Sequence, residues 1–240
     1  MKENQIISET EGKDPAEKTC EAFYDQLKRF SEENHTVVVS LCGGDSPKEF
    51  YKEIPRQADK IPPEDWKRIH FFWTDERLVP PEDERSNFKM ADRLFLHEMV
   101  SRGILPEENI HRFRGEAKEA DRVLARYNEE LIELGGKIHI PILGVGDDGH
   151  IGSLFPRHRL VTEQKEEFLL IEDSPKPPAR RMTISPAHLK KSDVPFLLFI
   201  GKGKREAFRC FESEDDPADC PARLAKQGEG TVYAVTHLRQ

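Results

Sequence analysis

Residues 144–156 read GVGDDGHIGSLFP and follow IHIPIL (138–143), an apolar run of the kind that forms a buried strand. Gly144, Gly146 and Gly149 match G-x-G-x-x-G, the turn that seats a dinucleotide pyrophosphate at a helix N-terminus. FLLIED even supplies Glu172 at roughly the distance, about 20 residues on, where such folds place an acid for the ribose. The residues inside the turn oppose that reading. Asp147 and Asp148 would repel a pyrophosphate, and Pro156 stands where the next helix should cross the sheet, at about 3 kcal/mol in a helix interior. Nor is this the first strand-to-helix turn of the chain, the usual place for the fingerprint. The stretch is a tight polar turn after a buried strand, and it carries Asp148-Gly149-His150 instead of a nucleotide.

Upstream and downstream the chain repeats strand, polar loop and helix. DPAEKTCEAFYDQLKRF (14–30) starts with Asp14 as N-cap and Pro15 at the first helical position, and it lines up Ala16, Cys20, Phe23, Leu27 and Phe30 on one face. TVVVSL (36–41) stops at CGGDSP and gives way to the helical KEFYKEI (48–54). IHFFW (69–73) enters TDERLVPPEDERS, expected as a loop, and Ser86 caps a helix over SNFKMADRLFLHEMV. AKEADRVLARYNEELIEL is a further helix, with Val123, Leu124, Tyr127, Leu131 and Leu134 on its apolar face. Strands follow at FLLI, RMTIS and VPFLLFIG, and a helix at KREAFRCF. Apolar strands alternating with amphipathic helices predict an α/β fold, a parallel sheet covered on both faces. No low-complexity linker divides the 240 residues, so one domain over 1–240 is expected. Ligands in such folds bind where loops leave the carboxyl ends of strands, and CGGDSP, TDER and GVGDDGH all fall there.

A net charge of −8 argues against broad contact with nucleic acid or anionic lipid. MKENQIISETEG lacks the basic-then-apolar order of a signal peptide, and runs such as FLLFI are too short to cross a bilayer. Cys20, Cys42, Cys210 and Cys220 form no C-x-x-C pair, which suits reduced thiols in a cytoplasmic protein without structural zinc. The charge is uneven. Lys176, Arg180, Arg181, Lys190, Lys191, Lys202, Lys204 and Arg205 fall in one block with Asp193 as its single acid: a solvated face, or a pocket for a small anion. His150 likewise either caps its turn or serves as a proton acceptor held by a nearby carboxylate.

Five segments in order resemble the 6-phosphogluconolactonase family, within the wider group that includes glucosamine-6-phosphate deaminase. LCGGDSPKEFY is similar to its L-S-G-G-S-T-P loop, and FFWTDERLVPPEDERSN to F-x-x-D-E-R-x-V-P with a downstream S-N. ILGVGDDGHIGSLFP resembles L-G-M-G-x-D-G-H-T-A-S-L-F-P, PPARRMTIS resembles P-P-x-R-I-T-L-T, and FLLFIGKGK resembles F-L-x-x-G-x-x-K. The resemblance implies a Rossmann-like three-layer α/β/α fold and a hydrolase that opens 6-phosphogluconolactone in the oxidative pentose phosphate pathway, without metal or nucleotide cofactor. Its partner is then a small sugar-phosphate lactone, with no oligomeric state specified and a monomer sufficient. The implied site residues are His150 as base on water with Asp148 as its orienting partner, and Asp75 on sugar hydroxyls or water. Gly43, Gly44, Ser46, Arg181 and Lys204 are to cradle the phosphate, and Arg77 to meet substrate oxygens. Asp75 to Arg77 could equally be a structural ion-pair turn, and Asn87 only the start of a helix.

The chain departs from the family pattern at Asp45, which puts a carboxylate in the phosphate loop where Ser is usual. Repulsion follows unless Asp45 points outward to a Lys or Arg. Cys42 replaces Ser, Gly152 an Ala and Lys190 an Asn, and no Asp stands near Thr236. Two other functions fit the pattern less well. The deaminase reading needs a carboxylate five residues after the His, where Phe155 stands, and a sugar-phosphate sensor usually follows a DNA-binding helical module that the residues before TVVVSL do not accommodate. No G-x-S-x-G elbow marks a general esterase.

Overall fold

The computed structural model describes residues 5–8, 14–33, 36–201, 203–214 and 216–237; Lys202 of the basic block lies outside them. Its elements are β1 (Gln5–Ser8), α1 (Pro15–Glu33), β2 (Val37–Leu41), α2 (Lys48–Glu53), α3 (Pro63–Trp66), β3 (Ile69–Trp73), β4 (Asp75–Arg77), α4 (Asn87–Ala91), α5 (His97–Ser101), α6 (Ala120–Glu133), β5 (Ile140–Gly144), β6 (Phe168–Ile171), β7 (Arg181–Ile184), α7 (Pro186–Lys190), β8 (Phe196–Phe199), α8 (Lys204–Glu212) and β9 (Tyr233–Thr236). Between α4 and α5 the residues Asp92–Leu96 wind as a π-helix, so the expected helix runs through unbroken. Both expected caps form: Asp14 accepts from the Ala16 N–H (2.9 Å) and Ser86 from the Lys89 N–H (3.2 Å).

Six strands build a parallel sheet in the order β1-β9-β8-β5-β2-β3. Strand alternation separates its faces. Phe71 meets Phe95 between α4 and α5 (5.7 Å), whereas its neighbour Phe72 meets Tyr127 of α6 (5.2 Å). In β8, Phe196 packs on Phe23 of α1 and Phe199 on Phe208 and Phe211 of α8. Helices therefore cover both faces, and the α/β fold is the one expected. Burying this apolar surface is the main favourable term, worth about 25 cal/mol per Å².

The fold differs from the sequence reading in two places. QIIS and YAVT, not singled out as strands, pair as β1 and β9 at one edge. The TDER segment is strand, not loop: β4 joins β7 and β6 in a separate antiparallel sheet, with Arg77 opposite Arg181. Residues 172–180 are too short a connection for a parallel crossover, so β6 and β7 must return antiparallel. In keeping with Pro156, no α-helix lies between β5 and β6 among the described residues; isolated bridges tie Val145 to Ile151 and Ile151 to Leu154. Because β2 lies between β3 and β5, the loops after β2 and β5 leave on opposite sides of a topological switch point, where a crevice opens.

Candidate active site

That crevice is lined by Cys42 to Ser46 after β2, Asp75 and Arg77 of β4, Gly144 to Asp147, His150 and Gly152 after β5, and by Lys176, Arg181 and Lys204. Its free volume is about 190 Å³, room for a small sugar phosphate and below the range of sites for larger ligands. Eight of the nine expected site residues line it; Asp148 stands behind His150.

The floor is buried. Asp75, 4% exposed, accepts from the Ser153 hydroxyl (2.8 Å) and from the Asn87 side-chain amide (3.2 Å), which also donates to the Asp75 carbonyl (2.7 Å). Asn87 is thus more than a helix start. Its side chain lies so close over Gly43 that a Cβ there would come within 1.8 Å of Oδ1, so position 43 is closed to any side chain. Glu76 beside it accepts backbone N–H bonds from Arg77, Asn87 and Phe88 and a bond from Ser86. Burial pushes its carboxyl up, these donors pull it back, and the balance rests at about 7. Cys42 is a neutral staple between β2 and β5: its Sγ accepts from the Gly144 N–H (3.1 Å), and burial pushes the thiol up to about 12.

Arg181 is placed differently from expectation. It is 3% exposed, and Nε and one terminal nitrogen donate to the carbonyls of Pro178 (2.9 Å), Lys176 (2.7 Å) and Pro177 (3.2 Å). The other terminal nitrogen reaches the Ser153 hydroxyl (3.4 Å) and lies 4.0 Å from Asp75. Burial lowers its affinity for a proton and Asp75 raises it, leaving it below the ordinary arginine value. It clamps the β6–β7 connection over the floor, with little donor capacity left for a phosphate.

The wall carries the polar turn. His150 Nδ1 hydrogen-bonds Asp148 Oδ1, and the ring lies 4.7 Å from that of Phe155. A carboxylate only accepts, so Nδ1 carries the proton of that bond, and in the neutral ring Nε2 is the acceptor. Gly146 makes the turn possible, since a Cβ there would sit 1.9 Å from Nδ1. Lys176 Nζ stands 3.3 Å from Asp148 Oδ2. Burial pushes the Asp148 carboxyl up, but the His150 bond and the charges of His150 and Lys176 outweigh it and hold the group well below the usual carboxylate range.

The remaining side is a rim of exposed pairs. Lys204 donates to Asp147 Oδ1 (2.6 Å), and Asp45 turns outward to Lys48 (2.5 Å) with 93% of its side chain exposed, as relief of repulsion required. The Lys48 bond lowers the Asp45 pKa. The Ser46 hydroxyl donates inward to the Ile200 carbonyl (2.8 Å), and Arg77 gives one terminal nitrogen to the Arg85 carbonyl (2.6 Å). Sequence reasoning gives no site role to Lys176 or Asp147: Lys176 stands in the basic block, and Asp147 reads only as an opponent of pyrophosphate. Of the departures, Lys190 and Thr236 lie outside the crevice lining. Among the described residues no group of three or more His, Cys, Asp or Glu side chains could hold a metal ion, and no helix is long and apolar enough to cross a membrane.

Residues 10–234 match the family described as glucosamine-6-phosphate isomerases/6-phosphogluconolactonase. The 6-phosphogluconolactonase of Borreliella burgdorferi is 31% identical, over 91% of each chain, and that of Haemophilus influenzae 33% identical, over 85% of each. Among solved structures, the Thermotoga maritima 6-phosphogluconolactonase superposes with a TM-score of 0.82 at 27% identity, covering 97% of this chain and 99% of its own. A monomeric glucosamine-6-phosphate deaminase shares the fold at 18% identity, with a TM-score of 0.75 and 96% of each chain covered. The chain belongs to the glucosamine-6-phosphate isomerase/6-phosphogluconolactonase family.

Proposed function

From that membership and the crevice, we propose that this protein hydrolyses 6-phospho-D-glucono-1,5-lactone to 6-phospho-D-gluconate in the oxidative pentose phosphate pathway, with His150 as general base. The observation that carries the reading is the His150–Asp148 pair, fixed in one tautomer at the wall of a cleft that also presents Lys204. Nε2 takes a proton from water as the water oxygen attacks the lactone carbonyl. The imidazolium then returns a proton to the ring oxygen as the ester bond breaks, while Asp148 and Lys176 hold the ring in place. Lys204 and the Gly43 to Ser46 loop receive the phosphate, Arg77 meets substrate oxygens, and Asp75 faces the sugar hydroxyls or the water. Arg181 supports Asp75 from beneath.

Phe155 supports hydrolysis over deamination. It stands where the deaminase reading needs a carboxylate, it is 1% exposed, and its ring backs His150. All four cysteines are free thiols, in keeping with a cytoplasmic enzyme. The test is lactone prepared in place and coupled to 6-phosphogluconate oxidation. Turnover well above an enzyme-free control, with no ammonia from glucosamine 6-phosphate, is expected. A rate equal to the control with sugar phosphate still bound would point to a sensor, and ammonia release to a deaminase.

A further inference from the structure

We propose that Asp147 is a built-in competitor for the phosphate at Lys204, setting how tightly the cleft holds substrate and product alike; this rests on the lactonase reading. Lys204 opens α8, and its side chain is only 15% exposed, whereas Asp147 is 66% exposed. The Asp147 carboxylate lies over the start of that helix: a Cβ on Gly203 would come within 3.2 Å of its Cγ and Oδ2. It thereby occupies the place a phosphate oxygen would take, against Lys204 and the α8 N-terminus, where Gly203 offers no side-chain cap.

Apart from Arg77, whose Nε is buried without a hydrogen-bond partner, the other charges around the cleft are engaged elsewhere. Asp45 faces Lys48, Lys176 faces Asp148, and Arg181 is spent on carbonyls. Among the described residues the short ionic partner of Lys204 is Asp147. An entering phosphate dianion therefore gains Lys204 only by sharing or displacing that carboxylate. Ring opening leaves the phosphate untouched, so the competition acts equally on lactone and acid. It is uniform binding, which moves KM without moving the chemical step. An enzyme whose product keeps the same phosphate handle gains easier release, and inorganic phosphate is kept from filling the site.

The test titrates inorganic phosphate by calorimetry into wild type, Asp147→Asn, Lys204→Met and the double variant, with steady-state kinetics alongside. Asp147→Asn should bind phosphate about tenfold tighter, as removal of one like charge at contact distance requires. KM and the inhibition constant for 6-phosphogluconate should fall by the same factor, kcat should not rise, and the tightening should vanish in the Lys204→Met background. Equal or weaker phosphate binding in Asp147→Asn, or tightening that persists without Lys204, overturns the proposal. Failure of the lactonase reading is distinguishable: tighter phosphate binding without lactone turnover removes the reaction and keeps the competition, while normal turnover with unchanged phosphate binding does the reverse.

Discussion

Two parts of the same cleft handle charge in opposite ways. On the floor, Asp75, Glu76 and Arg181 are each less than 5% exposed, and every one is held by several partners: Ser153, Asn87, backbone amides, or the carbonyls of residues 176–178. On the rim, Lys204–Asp147, Lys176–Asp148 and Asp45–Lys48 each put an exposed carboxylate against a lysine. A buried ion cannot be left unpaired without a large desolvation penalty, whereas an exposed pair contributes about 0 to 1 kcal/mol and exchanges partners readily. The floor is therefore charge locked in place by its partners. The rim is where a ligand can compete.

The largest expected effect belongs to His150, anchored on the rim by Asp148. His150→Ala should lower kcat by about 10² to 10⁴ while leaving substrate binding nearly intact, measured by stopped assay and by equilibrium binding. An unchanged kcat would move the base elsewhere. Next comes Arg181→Ala, which strips a buried guanidinium from three carbonyls and from Asp75. It should cost about 3 to 5 kcal/mol in denaturant unfolding. A variant with full stability and only a raised KM would erase the distinction between floor and rim.

Glu76 sharpens the contrast through pH. Burial leaves its carboxyl at about 7 in the folded chain against 4.5 ordinarily. The folded state thus holds the proton more tightly, and the stabilisation this gives, up to about 3 kcal/mol, is present below pH 4.5 and lost as pH rises through 7. Asp148 on the rim, held low, has the opposite sense: its contribution is present above the ordinary carboxylate range and is lost in acid. Glu76→Gln, which mimics the protonated group, should gain on wild type as pH rises from 4.5 to 7. A difference that does not vary with pH would mean that the four donors keep Glu76 ionised throughout.

Smaller effects should come from the lysine and the odd aspartate. Lys204→Ala should lower kcat/KM by about tenfold to a hundredfold, the loss of one charge-assisted bond to phosphate, with stability changed by less than about 0.5 kcal/mol. A large fall in melting temperature would make Lys204 part of the scaffold. Asp45→Ser should change least. Its carboxylate already faces Lys48 and not the cleft interior, so KM and its dependence on ionic strength should stay where they are. A lower KM would show that the carboxylate reaches the phosphate in solution.

Much of this was legible in the chain. The parallel strands carry continuous apolar runs, the helices carry their caps, and Asp148-Gly149-His150 announces itself by falling after a strand in a turn whose acids oppose a pyrophosphate. The small sheet was not legible as such. FLLI and RMTI have the composition of any buried strand, and only the short connection at 172–180 tells that they return antiparallel. Arg181 was found, but its partners were not. A basic residue near an expected anion reads as a ligand, and nothing local reveals that carbonyls from its own connecting segment consume its donors.

By itself the sequence determined the α/β architecture, the loops that meet at the strand ends and the identity of the wall residues, because periodicity, capping and turn chemistry act within a few residues of where they are written. Tertiary structure alone decided which charges are buried among several partners and which stand exposed in single pairs. Asp75 and Arg181, 106 positions apart in the chain, become a buried pair only once β4 and β7 lie side by side, and Asp147 reaches Lys204 only because the β5 turn is folded over the start of α8. A charge is the same in any sequence; its solvation and its partners, which fix its energy, exist only in the folded molecule.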